Sequence, residues 1–120
     1  MNTNNRDIRN VIVDEEIWII FIVISLFNIV GDEIDKKNLM LNNSHSKNAK
    51  EIFLFTAIIA ITIYIYFTIR NYDDYMSYRN TTYSNLYKER LLGSILIVVG
   101  SIMIVYFNIN VSNIYSPEIP

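Results

Sequence analysis

The side chains best suited to chemistry lie in a short polar segment near the middle of the chain. His45 is the sole histidine, and it stands between Ser44 and Ser46. A serine and a histidine can act as nucleophile and base, but only in a fixed geometry with a third group orienting the imidazole. Neighbouring residues in a polar loop provide neither. We expect no catalytic residue, and we expect that the protein is not an enzyme.

Metal binding has no better support. One histidine and no cysteine exclude the usual zinc ligand sets. Two acidic clusters, Asp14-Glu15-Glu16 and Asp32-Glu33-Asp35, offer oxygen ligands, but neither has the spacing of a calcium-binding loop. We expect both clusters to be solvated parts of a helix end, with no metal and no cofactor.

The composition indicates a membrane protein. The chain has 120 residues, enough for one domain, and 52% of them are hydrophobic against 18% charged. The hydrophobic residues are bunched into long runs, whereas a soluble domain spreads them at helix or strand period. The net charge of −2 and the lack of long basic runs argue against a nucleic-acid partner.

Two charge-free runs have the length of a membrane span. Residues 52–69 contain no ionisable group apart from two tyrosines, and as a helix they would extend about 27 Å. The hydrocarbon layer of a bilayer is about 30 Å thick. Residues 91–107 form the second run, which begins directly after Lys88, Glu89 and Arg90. Both runs predict spanning helices.

A third span is predicted at residues 17–30 or slightly beyond, although this run is short. The charges around it suit a helix that projects past both membrane faces. Asp14-Glu15-Glu16 would then occupy the first turn and Lys36-Lys37 the last, each at its favourable end of the helix dipole. The acidic residues stand where a signal peptide would be basic, so we do not expect cleavage.

The segments between the runs complete an all-α prediction. Residues 38–47 are predicted to form a polar loop, and Asn48 with Glu51 has capping-box spacing for the second helix. That helix is expected to continue past Arg70 and to turn near residues 80–82. The predicted fold is a small transmembrane helical bundle with three spans in a single membrane domain.

The positive charges predict an orientation in the cell membrane. With three spans, the N-terminus and the 71–90 segment share one side, which carries six cations: Arg6, Arg9, Arg70, Arg79, Lys88 and Arg90. The other side carries four, Lys36, Lys37, Lys47 and Lys50, and the tail after Phe107 has none. The positive-inside rule therefore places the N-terminus in the cytoplasm.

Small and polar residues inside the runs are candidates for helix packing. Gly93-Ser94 and Gly100-Ser101 recur one heptad apart, a spacing that puts small residues on one helix face where another backbone can approach. Asn28 is expected to hydrogen-bond across a helix interface. None of the three runs contains an acidic or basic residue, which argues against a secondary transporter.

These patterns predict a small non-enzymatic membrane protein whose role is association. It would be an accessory subunit of a membrane complex or a homo-oligomer, so its partners are the lipid bilayer and a membrane protein or a second copy. Two alternatives rest on size and topology. One is a holin-like pore former, although such proteins typically end in a basic tail and this one does not. The other is a membrane protein of the bacteriocin-immunity type.

Overall fold

A computed structural model describes residues 3–110 and confirms the all-α class. The three helices are α1 (Thr3–Asn42), α2 (Lys47–Tyr78) and α3 (Ser84–Asn110), and the described residues include no strand. Each helix is long and apolar enough to cross a membrane. The tail from 111 to 120, which we predicted on the same side as the first loop, lies outside the described residues.

The helices extend beyond the charge-free runs that predicted them. They contain 40, 32 and 27 residues, which correspond to about 60, 48 and 40 Å at 1.5 Å per residue. The interpretation of the charges around residues 17–30 was therefore wrong in one respect. Asp14-Glu15-Glu16 and Lys36-Lys37 lie inside α1, not in its first and last turns. The flanking segments contain Glu, Lys, Leu and Met, which are good helix formers, so the helix does not stop at the apolar boundary.

The first loop is shorter than predicted, because α1 includes residues 38–42 of the expected loop. Asn43 ends the helix with a left-handed backbone (φ 56°), which asparagine tolerates better than most residues. The Ser46 hydroxyl accepts a hydrogen bond from the Ala49 N–H at 3.2 Å. Ser46 is thus the N-cap of α2, and the predicted cap at Asn48 lies within the helix.

The second connection matches its prediction. α2 passes Arg70 and ends at Tyr78, and α3 begins at Ser84. The Thr81 hydroxyl donates to the Tyr78 carbonyl at 2.7 Å and accepts from the Tyr83 N–H at 3.1 Å. Thr81 thus provides a hydrogen-bond partner for the carbonyl of the last residue of α2 and for the N–H of the residue that precedes α3.

By internal contacts the chain divides into two units, Met1–Thr56 and Ala57–Pro120. The first contains α1 and the beginning of α2, and the second contains the rest of α2 and α3. Within the first unit, Ile17, Ile24 and Gly31 are buried and lie seven residues apart along α1. This spacing places them in one stripe along the helix.

Helix α3, in the second unit, exposes many of its apolar side chains. No residue of α3 is buried, and Leu96, Met103 and Phe107 are among the large hydrophobic residues on its surface. In water, each exposed Å² of apolar surface would cost about 25 cal/mol. Lipid removes that cost, so the distribution suits a helix in a membrane.

Candidate functional site

In the first unit, Asn28 meets α2 through one hydrogen bond. The Thr56 hydroxyl donates to Asn28 Oδ1 at 2.7 Å, and it also lies 3.1 Å from the Phe53 carbonyl of its own helix. Thr56 is only 3% exposed. The amide of Asn28 therefore serves helix pairing in this unit, where such a bond contributes about 0.6–2 kcal/mol.

Gly31, one turn further along α1, is a contact that the sequence analysis missed. A Cβ built on this glycine would lie 2.7 Å from Phe53 Cε1, closer than real Cβ atoms approach another carbon. The ring of Phe53 thus occupies the space that any larger residue would need. The signal was available in the sequence, because Gly31 continues the seven-residue spacing of Ile17 and Ile24.

At the first loop, Asp35 binds the two residues that precede α2. Asp35 Oδ1 accepts from the Ser46 N–H at 2.6 Å, and Asp35 Oδ2 lies 2.8 Å from His45 Nδ1. The carboxylate is only 18% exposed. Asp35 is thus part of the loop structure and not the solvated helix end that we expected.

The surroundings of Asp35 act on its pKa in opposite directions. Partial burial disfavours the charged form, but the hydrogen bonds from Ser46 and His45 outweigh it, so the pKa lies below its usual value. Glu33 behaves differently because it is exposed and pairs with Lys36 at 2.7 Å. A hydrogen bond from that lysine lowers the Glu33 pKa. Within residues 3–110, no three His, Cys, Asp or Glu side chains gather closely enough to hold a metal.

In the second unit, Ser94 and Ser101 face α2. Ser94 Oγ accepts from Asn71 Nδ2 at 3.1 Å and donates to the Leu91 carbonyl at 2.9 Å. Ser101 donates to the Ile97 carbonyl at 2.7 Å and borders a groove of about 190 Å³ whose α2 wall includes Ala57, Ala60 and Tyr64. Both serines therefore belong to the pairing of α2 with α3.

Gly93 and Gly100 occupy a different face of α3. No neighbouring atom among the described residues lies within 4 Å of a Cβ built on either glycine. Each Gly–Ser pair is thus divided: its serine faces α2 and its glycine faces open space. The close backbone approach that we predicted for these glycines does not occur between the described helices, and it stays a prediction about a further helix.

A cluster of charged and aromatic residues joins α2 and α3 beside their turn. Arg90 Nη2 pairs with Asp74 Oδ2, and the guanidinium lies 5.2 Å from the centre of the Tyr87 ring. Tyr78 and Tyr87 stack. Removal from water raises the Tyr87 pKa, and the neighbouring Tyr78 raises it further. The sequence analysis predicted none of these contacts.

Comparison with known proteins adds no functional information. No family model matches the chain, and neither a curated protein nor a solved structure matches it. What can be inferred about function therefore comes from these contacts and from the class that the fold defines, which over residues 3–110 is all-α with three helices long and apolar enough to cross a membrane.

Proposed function

We propose that this is a multi-pass protein of the cell membrane that acts by associating with other membrane helices, without catalysis. It is either an accessory subunit of a larger complex or a homo-oligomer. The observation that supports this most strongly is the open space beside Gly93 and Gly100 on α3.

The physical argument concerns how helices associate in lipid. Apolar side chains gain nothing by leaving one hydrocarbon medium for another, so association depends on close packing and hydrogen bonds. Ser94 and Ser101 already face α2 within the second unit. The glycines, displaced by one residue around the helix, leave the α3 backbone accessible to a further helix. Two such positions one heptad apart suit a helix running alongside.

The proposal includes an orientation. The side with the N-terminus and the second turn carries the larger number of cations, six against four, and the positive-inside rule places that side in the cytoplasm. Arg90 and Arg79 both belong to this side.

The holin-like alternative has less support because hydroxyl groups of the helices are engaged with their own backbone. Thr62, Thr68 and Ser101 each donate to the carbonyl four residues earlier, at 2.9, 2.9 and 2.7 Å. A polar pore needs such groups, or charged ones, along its wall. No observation favours the bacteriocin-immunity alternative over the other forms of association.

Vesicle leakage separates association from pore formation. We expect the purified chain in dye-loaded vesicles to release no dye, because its spans contain no acidic or basic residue. Leakage that grows with protein concentration and disappears in Asn28→Leu would favour the pore. A protein denatured before reconstitution provides the baseline for non-specific disruption.

Cross-linking decides between the two forms of association. If the protein is a homo-oligomer, the purified chain will cross-link to itself in mild detergent at the same sites as in cells. If it is an accessory subunit, cross-links in cells will join it to a different membrane protein, and the purified chain will run as a monomer. A monomer in both settings would contradict the proposal.

A further inference from the structure

A pocket lies beside the second turn, in the part of the chain that joins α2 to α3. It has a volume of about 390 Å³ and is lined by Tyr78, Tyr83, Leu86, Tyr87 and Arg90. Small-molecule sites commonly occupy about 300–1,000 Å³ and combine an apolar wall with a few placed polar groups. This pocket is open to its surroundings, with the exposed Leu86 and the tyrosine rings as an apolar wall and Arg90 as its charged group.

The position of the pocket along the chain determines what it would meet. Arg90 directly precedes Leu91, the first residue of the charge-free run in α3. In a membrane-inserted helix, that boundary lies at the level of the lipid headgroups, where tyrosine side chains are also most stable. This step rests on the insertion that we propose above.

The polar groups that line the pocket can donate hydrogen bonds. A guanidinium has five N–H donors, and its contact with Asp74 is made through one nitrogen, Nη2, while the Arg90 side chain is still 51% exposed. Tyr83 also lines the pocket, and because a phenol is protonated at neutral pH its hydroxyl can donate as well. Donors around an arginine favour an anion, and arginine recognises phosphate oxygens particularly well.

We propose that the pocket formed by Tyr78, Tyr83, Leu86, Tyr87 and Arg90 binds the phosphate of an anionic phospholipid headgroup. Arg90 and the Tyr83 hydroxyl would donate to the phosphate oxygens, and Leu86 would contact the glycerol and the beginning of an acyl chain. The arginine makes the pocket unsuitable for a cationic group such as choline, although its tyrosines alone could accept one.

The test measures binding to the full-length chain in a neutral detergent, with dihexanoylphosphatidylglycerol as the lipid probe. We expect Arg90→Gln to weaken binding about tenfold or more, because it removes a charge-assisted hydrogen bond. Tyr83→Phe should weaken it about threefold, since it removes one hydroxyl and keeps the ring. Arg79→Gln is the matched control, because it removes the same charge from a residue outside the pocket, and it should change binding less than about twofold.

Because Arg90→Gln removes one of the contacts of Asp74, the double variant Asp74→Asn with Arg90→Gln is measured beside it, with helicity checked by circular dichroism. Loss of binding in a helical double variant, or in Tyr83→Phe alone, supports the site. Unchanged binding in Arg90→Gln and Tyr83→Phe overturns it. Equal losses in Arg79→Gln and Arg90→Gln also overturn it, because they would indicate general attraction between charges.

Two further ligands identify the source of the phosphate. Dihexanoylphosphatidylcholine should bind at least about tenfold more weakly than the phosphatidylglycerol, since it adds a cation that the arginine repels. Glycerol 1-phosphate should also bind weakly, because it cannot contact Leu86. Equal binding of either would overturn the assignment to an anionic lipid. Alkaline extraction of membranes tests insertion separately, so a chain that binds the lipid but does not insert would contradict the proposed function and not the pocket.

Discussion

Tyr78 and Tyr87 stack across the second turn with their ring centroids 4.4 Å apart and their planes 6° from parallel. The same alignment of α2 with α3 brings Asp74 to Arg90 and Asn71 to Ser94. From one pair to the next, the residue on α2 lies three or four positions earlier and its partner on α3 lies three or four positions later. The polar contacts of the second unit are therefore consequences of one antiparallel register.

The first prediction concerns the glycine face of α3. Gly93→Leu with Gly100→Leu should reduce association, because it places two bulky side chains where a neighbouring backbone would approach. The variant should insert into the membrane as well as the wild type does, because its helix is more hydrophobic. Cross-linking in cells measures the association, and alkaline extraction measures the insertion.

The matched control for this pair is Ile95→Phe with Ile102→Phe. These residues are also seven apart on α3 and exposed, but they lie on another face of the helix. We expect the control to retain wild-type cross-linking. If both pairs reduce cross-linking equally, the glycine face has no special part in association.

The second prediction contrasts two glycine-to-alanine changes. Gly93→Ala should stabilise its helix by about 0.5–1 kcal/mol, because alanine restricts the unfolded backbone and meets no neighbour. Gly31→Ala should instead destabilise by about 1 kcal/mol or more, since its methyl group would meet the Phe53 ring. Unfolding in mixed detergent and dodecyl sulfate would measure both. Similar stabilisation by the two changes would show that Phe53 moves aside easily.

The third prediction concerns Asp35 and pH. The pKa of Asp35 is lower in the folded protein than in the unfolded chain. Between these two pKa values the unfolded chain binds more protons, so the contribution of Asp35 to stability is complete only above the ordinary, unfolded pKa. That contribution disappears as the pH falls through the lower, folded pKa. Asp35→Ala should cost about 1–3 kcal/mol at neutral pH, because the Ser46 N–H loses its charged partner.

The difference in stability between wild type and Asp35→Ala should therefore shrink in strong acid. The amide resonance of Ser46, followed by NMR, provides a local measurement of the same contact. Glu33→Ala is the control, since its carboxylate is exposed and contacts only the neighbouring Lys36 among the described hydrogen bonds. A difference that stays constant down to the lowest measurable pH would contradict this account.

The fourth prediction is the membrane topology, which can be measured directly because the chain contains no cysteine. Single substitutions Ser44→Cys, Thr82→Cys and Ser116→Cys would be labelled with a membrane-impermeant maleimide in intact cells. With three spans and a cytoplasmic N-terminus, Ser44→Cys and Ser116→Cys should label, and Thr82→Cys should label only after the cells are opened. Different labelling of the first two would rule out three spans, and full inversion would rule out the orientation.

Much of the fold could be predicted from the sequence because the length of an apolar run is a strong physical signal. The helix ends could not be predicted in this way. The membrane boundary determines where the apolar residues end, but a helix can continue into the polar residues that follow. Residues 31–42 show this difference, because they are polar in part and still continue α1 to Asn42. Asn43, with its left-handed backbone, ends the helix instead.

The contacts were less predictable than the helices. Asn28 and the Gly–Ser repeats were visible because polar or small residues stand out in an apolar run. Their partners were not visible, since Asn28 meets Thr56 and Asp35 meets Ser46 only in one register of α1 with α2. A shift of one residue would rotate each side chain by about 100° and remove those contacts.

The unbroken course of α1 has a mechanical consequence. From Thr3 to Asn42 every residue is helical, so the element behaves as a rod of about 60 Å, roughly twice the thickness of the hydrocarbon layer. A change of about 20° in its tilt would carry one end sideways by about 20 Å relative to the other. In the membrane insertion proposed above, a tilt of α1 would therefore move its two ends on opposite sides of the bilayer together, with the hydrogen bonds inside the helix intact.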